Sequence, residues 1–98
     1  MMGDEELMAT VAEAFIDDMQ HQVEALKLMI DKAGPAEIGA QGHKIKGSAA
    51  NVGGAALSAK AKLIEQAGKD DDLETVKKLM PEIELLFSRL KAEIAGSL

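Results

Sequence analysis

Residues 35–54 read Pro35-Ala36-Glu37-Ile38-Gly39-Ala40-Gln41-Gly42-His43-Lys44-Ile45-Lys46-Gly47-Ser48-Ala49-Ala50-Asn51-Val52-Gly53-Gly54. Pro35 suits the first position of a helix, Glu37 suits its first turn, and Gly53-Gly54 ends it. Between these marks Ile38, Ile45 and Val52 recur seven apart, with Ala49 beside them on a helical wheel. That spacing predicts a helix from Pro35 to about Val52 with those four residues buried. At about 100° per residue, His43 lies about 200° from Ile45, on the solvent side. Its neighbours one turn away are Gly39, Ala40, Lys46 and Gly47, and Ala50 follows two turns on.

Working outward, three Gly-containing breaks divide the chain, at Gly34-Pro35, Gly53-Gly54 and Gly68. The segment before the first break runs from Asp4 to Ala33. Asp4, Glu5 and Glu6 favour a helix start, where they complement the dipole. Leu7, Val11, Phe15, Met19, Val23, Leu26, Ile30 and Ala33 step by three or four into one apolar stripe. As one continuous helix it would be about 45 Å long, and a bend or break near Thr10 to Ala14 is the alternative. The third segment, Ala55 to Ala67, has Leu57, Ala61 and Ile64 as its stripe and Gly68 as its expected C′ residue. The fourth starts in Asp70-Asp71-Asp72, with Asp71 and Glu74 at capping-box spacing. Its stripe is Leu73, Val76, Met80, Ile83, Leu86 or Phe87, Leu90 and Ile94. Pro81 should kink or break it, and Gly96 should stop it. Four amphipathic segments on short loops bury their stripes most simply as an all-α, antiparallel, up-and-down four-helix bundle.

Composition agrees and excludes. Sixteen Ala, eleven Leu and six Met against two Phe and four Val favour helices over sheets. The length of 98 residues suits one domain. The absence of Cys excludes a disulfide scaffold, a thiolate zinc site and a Cys nucleophile. A net charge of −6 argues against nucleic acid. It also suggests a domain that does not rely on long-range attraction for docking. No apolar run approaches the roughly 20 residues that span a bilayer, and the acidic start is no secretory signal. A cytoplasmic domain without membrane contact is the expectation. The doubled Met hints at a piece cut from a longer chain.

The helix around His43 carries the unusual chemistry. An interior Gly costs about 1 kcal/mol relative to Ala, and this helix has three, Gly39, Gly42 and Gly47. Gly39 and Gly47 would clear space on either side of the ring. A neutral imidazole is a nucleophile near neutral pH, and Lys46 could hold phosphoryl oxygens as a point charge. Spacing alone does not choose between this reading and an ordinary surface histidine.

The run His43-Lys44-Ile45-Lys46-Gly47-Ser48-Ala49-Ala50-Asn51-Val52-Gly53 resembles the signature of histidine-containing phosphotransfer domains. The likeness extends through Leu57, Ala61, Ile64, Glu65 and Gly68, and upstream to Phe15 and Val23-Glu24-Ala25-Leu26, so it covers nearly the whole chain. It is similar to the C-terminal phosphotransfer domains of hybrid sensor kinases. The resemblance implies a four-helix bundle, often with a short extra N-terminal helix, whose His accepts a phosphoryl group from a receiver-domain aspartyl phosphate. The group is then passed, reversibly, to an Asp on another receiver. By position His43 is the phosphoacceptor, Lys46 stabilises the phosphate and Gly47 gives the receiver access. Gly39, Ala40, Ala50 and Glu65 are docking candidates, within an apolar patch that also draws on segment one. No cofactor is implied on this chain; magnesium is expected on the receiver. The partners implied are receiver domains of response regulators or hybrid kinases, met by a monomer.

Five other readings compete. A metal site would need more than His21 with Glu24. Ser48, five residues from His43, faces another side, and no nucleophile elbow is present. A kinase dimerisation domain usually has an acidic residue after its His, where Lys44 stands here; a chemotaxis-kinase domain often has an aromatic near Gly54. An adaptor module without phosphate would tolerate loss of His43, Lys46 and Gly47. The Asp70–Asp72 run is a solvated helix cap rather than a calcium loop, since it lacks the Gly and distal Glu at the needed spacing.

Overall fold

An apolar residue every third or fourth position, with no Gly or Pro between Asp4 and Ala33, lets the first segment run as one helix. In the computed structural model, which describes residues 3–96, this is α1 (Asp4–Lys32). It is followed by α2 (Pro35–Asn51), α3 (Ala55–Lys69) and α4 (Leu73–Gly96). The side chains of Asp4 and Glu5, expected to complement the dipole, lie outside the described set. Short connections make sequential helices antiparallel neighbours, and α1 also packs on α4, closing the ring of four.

The stripes meet as the spacing requires. Met19, Leu26, Ile38, Ile45, Leu57, Ile64, Val76 and Ile83 are fully buried, joined by Val23, Ala49, Ala61, Met80, Phe87 and Leu90. Each large side chain taken fully out of water contributes about 1.5–3 kcal/mol. Of the pair Leu86 and Phe87, Phe87 is the buried one and Leu86 packs at its edge.

Several expectations are corrected. α1 is continuous: it does not break at Thr10–Ala14, and among the described residues no separate N-terminal helix forms. It outruns its partners, so Leu7 and Val11, though in phase with the stripe, are 53% and 62% exposed. Val52 is the C-cap of α2 and is 39% exposed, because the helix ends one residue before it would enter the core. α4 runs through Pro81 without interruption. Pro81 and Lys77, whose carbonyl loses its amide partner, are both exposed, so water can serve that carbonyl.

The helix ends show why the turns are tight. Gly53 takes φ +75°, and the Gly54 amide donates to the Ala49 carbonyl at 2.8 Å, a Schellman closure that favours glycine. The same closure ends α3, but Asp71 (φ 55°) occupies the left-handed position, not Gly68. There the Asp72 amide donates to the Ala67 carbonyl at 2.8 Å. Asp72, rather than Asp71, caps α4: it accepts from the Thr75 amide and hydroxyl at 3.2 and 2.6 Å. These bonds, the hydroxyl's first, hold the Asp72 carboxyl below its usual range.

Gly68 has a different task. It lies inside α3, buried, where an added Cβ would stand 2.6 Å from the Gly39 Cα and 2.7 Å from the Pro35 carbonyl oxygen. Gly39 and Gly68 let α2 and α3 touch backbone to backbone.

Candidate functional site

The close approach of α2 and α3 sets the site. At Gly42 an added Cβ would be 2.9 Å from both the Glu65 amide nitrogen and the Ile64 Cγ2. Gly39 and Gly42 therefore bring the middle of α3 under the His43 turn of α2. Glu65, the single acid of α3, arrives beneath the imidazole as a result.

Glu65 joins the two helices through both carboxylate oxygens. His43 Nδ1 is 2.8 Å from Oε2, and Lys46 Nζ donates to Oε1 at 2.7 Å. The Glu65 side chain is 16% exposed, whereas that of His43 is 65% exposed. The Lys46 hydrogen bond above all, with that of His43, holds the Glu65 carboxyl below its usual range against a partial burial that pushes it up. Glu65 is thus ionised at neutral pH and can only accept, so the ring proton sits on Nδ1. In the neutral ring, Nε2 then carries the lone pair, on the exposed side chain.

Gly47 differs from the other two glycines of α2. A Cβ there would meet nothing within 4 Å, and its backbone is ordinary helix. Packing does not require Gly47; it leaves open surface one turn from His43. Beside the ring lies a depression of about 460 Å³, lined by Ala36, Gly39, Ala40, His43, Lys44 and Glu65 with Lys69. It is built by α2 and α3. Gly39 contributes to the lining although its own residue is buried. A second depression adjoins it towards the end of α2, where Lys46, Ala50, Ser58 and Lys62 are among the lining residues.

Other polar residues lock the frame. Gln41, buried and not singled out by the spacing, donates from Nε2 to the Gln22 carbonyl of α1 at 2.8 Å. Ser48 is occupied by Gln22, whose Nε2 lies 3.3 Å away, and stands on the α1 side of α2, away from His43. Ser58 donates to the Lys46 carbonyl at 3.1 Å. His21 is an exposed surface residue whose Nδ1 lies 2.7 Å from the Asp17 carbonyl oxygen, so the ring donates there. Among the described residues no group of three or more His, Asp or Glu gathers in a metal-holding arrangement. No helix there is long and apolar enough to cross a membrane.

The family model described as "Hpt domain" matches residues 10–93. The chain belongs to the Hpt domain family. No curated protein and no solved structure matches it. Hpt domains act in histidine phosphotransfer within two-component phosphorelays and interact with receiver domains. The match begins at Thr10, so the projecting first turns of α1 fall before it. Glu65 is the site residue that spacing marked least clearly. Its available signal was chemical: it is the one acid in a helix whose other charges are all Lys.

Proposed function

We propose that the chain is a phosphocarrier that takes a phosphoryl group onto His43 Nε2 from the aspartyl phosphate of one receiver and passes it to an Asp of another. The observation that carries this reading is the Glu65 bridge: it holds Nδ1–H at 2.8 Å, and the nucleophilic lone pair then falls on Nε2 of an exposed ring. In the forward step the Nε2 lone pair forms the N–P bond. The P–O bond to the donor aspartate breaks, and that carboxylate leaves with the electron pair. The ring becomes cationic with Nδ1–H retained, and the ionised Glu65 stabilises that charge. Reversal towards a second receiver needs no net proton movement. Lys46, one turn on and tied to the same carboxylate, supplies the nearby cation for the phosphoryl oxygens.

Gly47, open on its outer side, admits the receiver, and Ala40 and Ala50 extend a surface of small side chains around the ring. Glu65 positions the imidazole through Nδ1 rather than docking the receiver. The carrier as a domain of a hybrid sensor kinase fits the resemblance of the His43–Gly53 run.

The test is phosphotransfer from a set of receiver domains labelled with acetyl phosphate, with His43→Gln as control. The expected result is acid-labile, base-stable label on the wild type and none on His43→Gln. Unlabelled wild type across the set would sink the carrier and favour an adaptor.

A further inference from the structure

The net charge of −6 conceals a sharp partition. Residues 35–69, the α2–α3 hairpin, carry five Lys against two Glu, net +3, so the rest of the chain carries −9. Residues 1–26 alone hold seven acids and no Lys or Arg. Charge is therefore separated across the bundle, basic on the His43 side and acidic along α1.

Which lysines are free sharpens this. Lys46 is paired with Glu65, and Lys60 with Glu82 at 3.3 Å. Lys44, Lys62 and Lys69 are exposed and have no carboxylate within 4.0 Å among the described residues. Lys44 and Lys69 line the depression that His43 itself lines, and Lys62 lines the second one, next to Lys46. Lys62 and Lys69 stand three residues before and four after Glu65, so they share its face of α3, one turn to either side. Glu65 itself adds little negative field, because Lys46 neutralises it at 2.7 Å. The acidic turn Asp70–Asp72 delimits the patch beyond Lys69.

We propose that Lys44, Lys62 and Lys69 form a steering collar around His43, and that the partner's docking face is acidic. The inference rests on the carrier reading, since it names the charge of the receiver surface that meets this site. Among the described residues none of the three is held in an ion pair, and only Lys69, in the last turn of α3, serves its helix through the dipole. Facing an acidic surface they raise the rate of productive encounter by about ten- to a thousandfold at low salt. The acidic α1 repels the same surface, so the charge separation also orients the approach. A second copy of the chain would present the same collar and be repelled at this face.

The experiment follows the second-order rate of transfer from the receiver domain that labels His43 fastest, between about 0.01 and about 1 M salt. Over that range the screening length falls from about 30 to about 3 Å. The rate should fall by about tenfold or more. Lys44→Glu/Lys62→Glu/Lys69→Glu should be slower than wild type at low salt by a similar factor and should lose the salt dependence. Phosphoramidate, a small donor with no docking face, should still label this variant on His43 to the same final extent, which also shows that it is folded; its rate is not the readout, because the small anion feels the same charges. A salt-independent rate, or a triple variant as fast as wild type at low salt, would overturn the collar while leaving the carrier intact. Failure of wild type to take label from phosphoramidate and from every receiver would remove the carrier reading, and the collar with it.

Discussion

His43 draws its character from its partners. A surface imidazole has two interchangeable nitrogens; here Glu65 takes one of them, and ordinary tautomer chemistry assigns the lone pair to the other. Three glycines in one helix look alike in the sequence and are not. Gly42 faces α3 at 2.9 Å, a distance that a Cβ cannot share, Gly39 faces it at 3.3 Å, where a Cβ fits only if the helices give by a few tenths of an ångström, and Gly47 faces open space. Gly47→Gln should therefore raise the melting temperature, since Gly in a helix interior is worse than most residues by about 0.5–1 kcal/mol. The same change should slow transfer from a receiver by about tenfold or more, because a side chain now stands where the partner must come. Thermal melts and transfer kinetics on one preparation check both, and a variant that is stabilised yet equally fast would show that Gly47 has no part in access.

At the scale of elements, the α2–α3 contact is the part of the bundle that makes the site. Gly68→Ala places a Cβ 2.6 Å from backbone of α2, where neither side can yield. Overpacking of this kind costs about 1–3 kcal/mol, or roughly 4–8 °C of melting temperature per kcal/mol in a domain of this size. Because the separation of α2 from α3 also sets the reach of Glu65, Gly68→Ala should reduce transfer as well as stability. An unchanged melting temperature would mean that the two helices are free to part. The projecting turns of α1 are the opposite case. Leu7, Met8 and Val11 are exposed, and removal of residues 1–9 should leave the melting temperature within about 5 °C of the full chain, since terminal backbone outside the core contributes little.

For the whole molecule, acid is the vulnerable side. The carboxyls of Glu65 and Asp72 are both depressed in the folded state. A group depressed on folding stabilises fully above its unfolded value, near 4.5 for Glu65, and its contribution is lost as pH falls towards the folded value. The melting temperature of wild type should therefore drop more steeply below about pH 4.5 than that of Glu65→Gln, and the two curves should converge in acid. Melts across pH 7 to 3 would show it; parallel curves would mean that the Glu65 bridge does not persist in solution.

How much of this was legible in the residues follows from the range of each interaction. Helical period and punctuation are local, so Ile38, Ile45 and Ala49, or Leu57, Ala61 and Ile64, announced their buried faces, and the bundle followed from having four such faces on short loops. The run from His43 to Gly53 announced the family, because its unusual residues are adjacent. The N-terminal projection was not legible: Leu7 and Val11 are in phase with the core, and only the lengths of the other helices leave them in water. Nor was the left-handed position at Asp71: Gly68, the glycine that looked like the helix end, is taken up inside α3 by its contact with Gly39. By itself the sequence determined the elements, the fold class and the family, all of which depend on residues close together in the chain. Only the tertiary structure decided which nitrogen of His43 is free, which glycines are for packing, and which lysines stand unpaired around the ring. Each of those depends on the distance between α2 and α3, which residues far apart in the chain set together.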